Sequence, residues 1–201
     1  GMVGRPLSFP TPRQRGPWVI DMNILLNFLA FKIGWLACVV GGANGWPLVG
    51  TLIAGAIVAL HIATSSVPRR ELTLVLLAGV IGAVWDSALA AAGLLVYTSG
   101  MLFAGTAPYW IVAMWLLFAT LLNKSLRWMH DRLALAAAFG AVGGPLAFYA
   151  GNRLGAVEFS DFGAAMLALA VGWGTLMPLL VLLARRFDGV STAGEPLPAK
   201  A

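Results

Sequence analysis

The chain has 201 residues, 60% of them hydrophobic and 10% charged, with a formal net charge of +5 and a mean hydropathy of +0.86. Soluble domains carry roughly a quarter charged residues, so this chain has too few polar side chains to coat a water-soluble core. An integral membrane protein is the class that fits, and the basic excess then concerns orientation in the bilayer rather than nucleic-acid binding.

Residues 1–21 are rich in Pro, Gly and Arg and lack apolar periodicity, which predicts a disordered cytoplasmic tail. Six apolar runs follow, each near the roughly 20 residues that cross a bilayer. They are Met22–Gly41, Pro47–Ser65, Leu72–Gly93, Pro108–Leu122, Leu133–Asn152 and Gly163–Ala184. The fourth is the shortest and is expected to extend toward Trp128. "GGANGWP" is a tight reversal, with Pro47 suited to the first turn of the second helix. "SSVPRRE" and "NKSLRWMHDR" are polar breaks, and "YTSGMLFAGTAPYW" has the uncharged aromatic character of an interfacial loop. Residues 188–201 form a second expected disordered tail.

Basic residues alternate by side. Arg5, Arg13 and Arg15 precede the first run, Arg69 and Arg70 follow the second, and Lys124, Arg127 and Arg132 follow the fourth. Arg185, Arg186 and Lys200 follow the sixth, whereas Arg153 stands alone after the fifth beside Glu158 and Asp161. The pattern predicts an all-α bundle of six transmembrane helices with both termini cytoplasmic. A lipoprotein signal ending at "WLAC" is the competing reading of the first run. Trp35 and Leu36 are too large for such a cleavage site, and Lys32 interrupts the apolar core. The single cysteine, Cys38, excludes an intrachain disulfide.

Ionisable groups inside a span cost about 2.5–3.5 kcal/mol on insertion scales and therefore point to a site with a partner. Three stand out: Lys32, His61 and Asp86. Lys32 lies about ten residues into the first span, and Asp86 about fourteen into the third from the same side, roughly 6 Å further. One reading pairs them across the two helices. The alternative has Lys32 snorkelling to water while Asp86 bonds Ser87 or a backbone carbonyl. His61 sits near the cytoplasmic boundary and reads as an interfacial donor, with a proton relay as the alternative.

A second polar set lies toward that side. Asn23 and Asn27 share a face of the first span, and Thr120, Asn123 and Arg127 share a face of the fourth. These are interhelical glue unless the two faces converge with His61, in which case they form a site. In the fifth span Ala136, Gly140 and Gly144 recur at fours, as do Gly143, Ala147, Gly151 and Gly155, which predicts close helix packing. Pro145 and Pro178 should bend their helices. Asn152, Arg153, Glu158 and Asp161 read as a surface charge cluster, and His130-Asp131 as solvated. No metal-ligand spacing, phosphate loop or Ser-His-Asp set is present, so neither metal nor cofactor is expected.

"NFLAFKIGW", "WDSALAAAGLL", "PYWIVAMWLLFATLLNKSLRW" and "GAVGGPLAFYAG" together resemble the domain of unknown function 2878 family of small bacterial membrane proteins. The resemblance runs from Met22 to about Phe162. It implies the bacterial inner membrane, a setting near lipid-modifying enzymes, and weight on Asn27, Trp35, Asp86, Asn123, Ser125, Pro145 and Tyr149. It also implies glutamine where this chain has Lys32, which favours a polar, hydrogen-bonding role at that position.

The leading expectation is an accessory of membrane-lipid modification, binding an acyl chain or headgroup in a cavity lined by Asn27, Lys32, Asp86 and Asn123, with His61 and Tyr149 as further candidates. Its partners would be membrane lipids and a lipid-modifying enzyme. A small-solute transporter or its substrate-binding subunit is the first alternative. A lipid-modifying enzyme using Asp86 as acid or base is the second, and the lack of a nucleophile ranks it last.

Overall fold

The computed structural model describes residues 22–190; the rest of the two expected tails, 1–21 and 191–201, lies outside the described residues. Six helices are present: α1 (Met22–Ala43), α2 (Pro47–Ala63), α3 (Pro68–Ala91), α4 (Tyr109–Leu122), α5 (Leu133–Arg153) and α6 (Phe162–Arg186). α1, α3, α5 and α6 are long and apolar enough to cross a membrane. α2 has 17 residues and α4 has 14.

Local chemistry sets the ends. Pro47 and Pro68 open α2 and α3, where a missing N–H costs nothing. Because α3 begins at Pro68 and not at Leu72 as expected, Arg69, Arg70 and Glu71 belong to its first turn. Asp161 caps α6 by accepting from the Ala164 N–H at 2.8 Å. α3 and α5 end alike. Gly93 and Gly155 take positive φ, and the next residue donates back into the helix (Leu94 to Leu89, Ala156 to Gly151). That ending turns the chain straight into two short strands, β1 (Leu95–Tyr97) and β2 (Val157–Phe159). They pair antiparallel with Leu95 opposite Phe159 and Tyr97 opposite Val157.

Among the described residues the fold is all-helical as expected, apart from this small ribbon. The ribbon occupies the start of what was read as an interfacial loop, and its three-residue strands carry no periodicity to detect. One correction concerns α4, which stops at Leu122 and does not run on to Trp128. Asn123 ends it, Leu126 N–H turns back to the Leu121 carbonyl, and a short 3-10 turn spans Arg127–Met129.

The shortest helix is the core. Nine of the fourteen residues of α4 are buried, and it packs against α1, α2, α3 and α6. By contrast α1 buries five of 22, leaving a broad apolar face outward as a lipid-facing helix would. Large side chains seat against glycines: a Cβ at Gly82 would strike the Trp115 ring, and one at Gly172 the Trp85 ring. α5 packs chiefly on α6. Its buried ladder of Ala136, Gly140 and Gly144 faces that partner, and a Cβ at Gly144 would run into Trp173.

Candidate functional site

Two polar constellations lie at opposite ends of the bundle. The first borders a cleft of about 420 Å³ between α1 and α5, with α4 as its floor. Asp86 of α3 and Tyr97 of β1 lie in its wall at the ribbon end. Asp86 is fully buried. It accepts from the Tyr97 hydroxyl at 2.9 Å and from the Trp115 indole N–H at 2.5 Å. Burial, with Asp86 beside it, holds the Tyr97 hydroxyl well above the ordinary tyrosine range, so the phenol stays a donor. Trp115 in turn stacks on Trp173 of α6, with ring centroids 4.6 Å apart and planes 10° from parallel. Phe118 stands edge-on to Trp173 and to Phe31 of α1, tying three helices together under the cleft.

Lys32 lies at the mouth. Its ammonium sits 5.4 Å from the Phe28 ring centroid, 5.9 Å from Phe31 and 5.8 Å from Trp35. Among the described residues no carboxylate reaches it within ion-pair distance. The Lys32–Asp86 pair, one of the two readings, is therefore not formed, and Asp86 bonds Tyr97 and Trp115 rather than Ser87 or a backbone carbonyl as the other reading had it. α1 packs on α2 and α4 while α3 packs on α4, so α4 stands between the two residues. Asp86 is also already engaged at both oxygens. The two share the cleft without sharing a bond.

The second constellation lies where α2, α3 and α4 meet the chain leaving α6. His61, Glu71 and Asn123 are buried there. His61 Nε2 is 2.9 Å from Glu71 Oε2. Asn123 Nδ2 donates to Glu71 Oε1 at 2.6 Å, and the Gly189 N–H donates to the same oxygen at 2.9 Å. Residues 187–190 are held further by Val67 N–H to the Gly189 carbonyl and by Arg127, 2.5 Å from Asp188. Asn27 lies alongside. Its amide donates to the Thr120 carbonyl at 3.1 Å, and its carbonyl accepts from Ser125 Oγ at 2.7 Å. So the Asn27 and Asn123 faces do converge with His61, as a polar seam across four helices, but away from the cleft.

That separation revises the expected site. Of the four residues proposed to line one cavity, Lys32 and Asp86 do so and Asn27 and Asn123 do not. Tyr149 is 43% exposed, against the Phe162 ring and outside the cleft. His61 is an interior partner of Glu71, not an interfacial donor. His130, expected in solvent, is half-buried with Nε2 3.0 Å from the Leu122 carbonyl. In the expected surface charge cluster, Asn152 donates to the Val157 carbonyl and Asp161 caps α6, so both serve the backbone. Glu71 was missed altogether. Its one signal was an acid three residues after a helix-opening proline, at the edge of an apolar run.

The family model described as Protein of unknown function (DUF2878) matches residues 24–179. The chain belongs to this family. No curated protein and no solved structure matches it. The DUF2878 match takes in every residue of the cleft and His61, Glu71 and Asn123, but ends before Asp188 and Gly189. The cleft and the buried acid thus lie within the family's common extent, and the returning segment beyond it.

Proposed function

We propose that the protein binds an acyl chain or another apolar part of a membrane lipid in the cleft between α1 and α5, as an accessory to membrane-lipid modification. The carrying observation is the shape and chemistry of the cleft. Aromatic and aliphatic side chains and glycines line it, and exposed Phe28, Phe139 and Leu146 stand at its border. In a bilayer those border residues would face hydrocarbon, so a chain could enter sideways without crossing water. The volume lies within the roughly 300–1,000 Å³ common for ligand pockets.

The same reading places six spans in the inner membrane of a bacterium, with both termini cytoplasmic. The distribution of basic residues supports that orientation. α2 and α4 are short at roughly 25 and 21 Å, and as interior helices they need not match the full hydrocarbon thickness of about 30 Å. A water-soluble solute would call for several convergent polar groups, and among the described residues the cleft offers one uncommitted cation. Asp86 has both oxygens bonded within the protein, which suits a structural acceptor better than an acid or base. A lipid-modifying enzyme is the partner this role requires.

Native mass spectrometry of the full chain extracted in mild detergent tests the reading. One retained lipid or acyl adduct is expected, and it should vanish in Gly143→Phe, which fills the cleft. An adduct-free protein, or an adduct indifferent to that substitution, would overturn it.

A further inference from the structure

Lys32 lies ten residues from Met22 and eleven from Ala43, the ends of α1, hence about 15 Å along the helix from either. A lysine at that depth costs about 2.5–3.5 kcal/mol on insertion scales. Aromatic faces return about 0.5–2 kcal/mol of that. Three rings surround the ammonium and, among the described residues, no carboxylate answers it, so the site is electrically incomplete on its open side. That side is the cleft.

Across the cleft, Gly143, Ala147 and Gly151 belong to the lining, and neither glycine abuts a neighbouring helix. A Cβ at Gly143 would meet only Phe139 at 3.9 Å, and one at Gly151 only Val157 at 3.7 Å. This contrasts with Gly140 and Gly144 on the adjoining face, where a Cβ would collide with α6. The second small-residue row is therefore a channel wall, not a packing seam.

From charge and depth together we infer that the occupant is a single-chain carboxylate amphiphile of the fatty-acid type, its carboxylate against Lys32 and its chain along Gly143, Ala147 and Gly151. The inference rests on the chain-binding reading above and narrows it. A diacyl phospholipid keeps its phosphate at the surface of a hydrocarbon core about 30 Å thick, beyond the reach of a lysine at mid-depth. A free carboxylate on a single chain has no such tether to the surface, and pairing with Lys32 would repay part of the desolvation of the two charges. Asp86, at the ribbon end of the wall, has both oxygens committed to Tyr97 and Trp115.

The test uses the full chain in phosphatidylcholine nanodiscs and native tryptophan fluorescence, since Trp35, Trp115 and Trp173 line the cleft. The quenchers are dibrominated stearate, its methyl ester, and a phosphatidylglycerol with brominated tails. Saturable quenching by the stearate is expected, with half-saturation raised about tenfold in Lys32→Met, as for loss of a charge-assisted contact. Lys32→Arg should retain it, and the ester should bind wild type and Lys32→Met alike. Equal affinity of stearate and ester in wild type, or Lys32-dependent saturation by phosphatidylglycerol, would overturn the carboxylate assignment while leaving chain binding intact. Quenching that never saturates, or that Gly143→Phe leaves unchanged, would remove the chain-binding reading and this inference with it.

Discussion

Asn123, at the end of α4, donates to Glu71 in the first turn of α3 at 2.6 Å, joining residues 52 positions apart around a fully buried carboxylate. The same carboxylate holds His61 and the Gly189 N–H, so one side chain fastens three helices and the returning segment. Removing it would leave buried donors unpaired. Glu71→Ala should therefore destabilise by about 3–5 kcal/mol, and Glu71→Gln by about 1–3 kcal/mol because one carboxylate acceptor becomes a donor. Thermal unfolding in detergent checks this, and a Glu71→Gln melting as wild type would contradict it.

Gly189 approaches closely enough that a Cβ would lie 2.5 Å from the Val67 carbonyl oxygen and 2.7 Å from Glu71 Cγ. Gly189→Val should release the segment and make the chain after Arg186 more sensitive to limited proteolysis. An unaltered cleavage pattern would mean that Glu71 does not need this contact to keep the segment in place.

Two adjacent glycines give a paired test. Gly144→Leu drives a side chain into Trp173 and should lower stability by about 1–3 kcal/mol, as over-packing does. Gly143→Leu projects into the cleft and should melt close to wild type. Equal damage from both would show that no open cleft exists beside Gly143.

Asp86 and Lys32 should behave independently. In a double-mutant cycle of Asp86→Asn with Lys32→Gln, coupling should stay below about 0.5 kcal/mol, the level of distant sites. Asp86→Asn with Trp115→Phe should couple above that level, since those groups share a bond. A reversed ranking would restore the ion pair between α1 and α3.

Burial lowers the pKa of His130 from its ordinary 6.5. The folded state then disfavours the protonated ring, so its contribution is complete above about pH 6.5 and is lost as pH falls through the folded value. Asp188, whose carboxyl burial pushes up from 3.8, acts in the opposite sense: its contribution is complete below that value and is lost as pH rises through the raised one. The melting temperature of wild type relative to His130→Gln should be constant above about pH 6.5 and fall below it. An identical profile for the variant would place the titrating group elsewhere.

Reporter fusions after Ala43, Gly100 and Ser160 should signal the periplasm, and those after Val67 and His130 the cytoplasm. A cytoplasmic signal at Gly100 would break the six-span arrangement.

The apolar runs, their breaks and most helix ends were legible because hydropathy and proline act locally. Depth along a helix was legible too, which is why Lys32, His61 and Asp86 stood out. Azimuth was not. Nothing in "NFLAFKIGW" or "WDSALAAAGLL" states that α4 comes between their helices, so Lys32 and Asp86 were paired on depth alone. Glu71 escaped notice because "VPRRE" has the composition of a solvated turn, and only the tertiary convergence of α2, α4 and Gly189 makes its acid interior. Trp115 and Trp173 carry no periodic signature beyond that of any buried aromatic.

The division of labour among the helices bears on how the cleft could widen. The α5–α6 hairpin meets the rest of the bundle through α6, through the β1–β2 ribbon and, at the other end, through the 3-10 turn and the Arg185 bond to the His130 carbonyl, while α1 and α5 flank the opening. A hinge at the ribbon would let the hairpin swing from α1 like a door. Such a swing would strain the Trp115–Trp173 stack, an aromatic pair that contributes only about 0.5–1.5 kcal/mol beyond its area burial. The two indoles would part before any helix began to unwind, and their separation would give the swing an intrinsic optical signal.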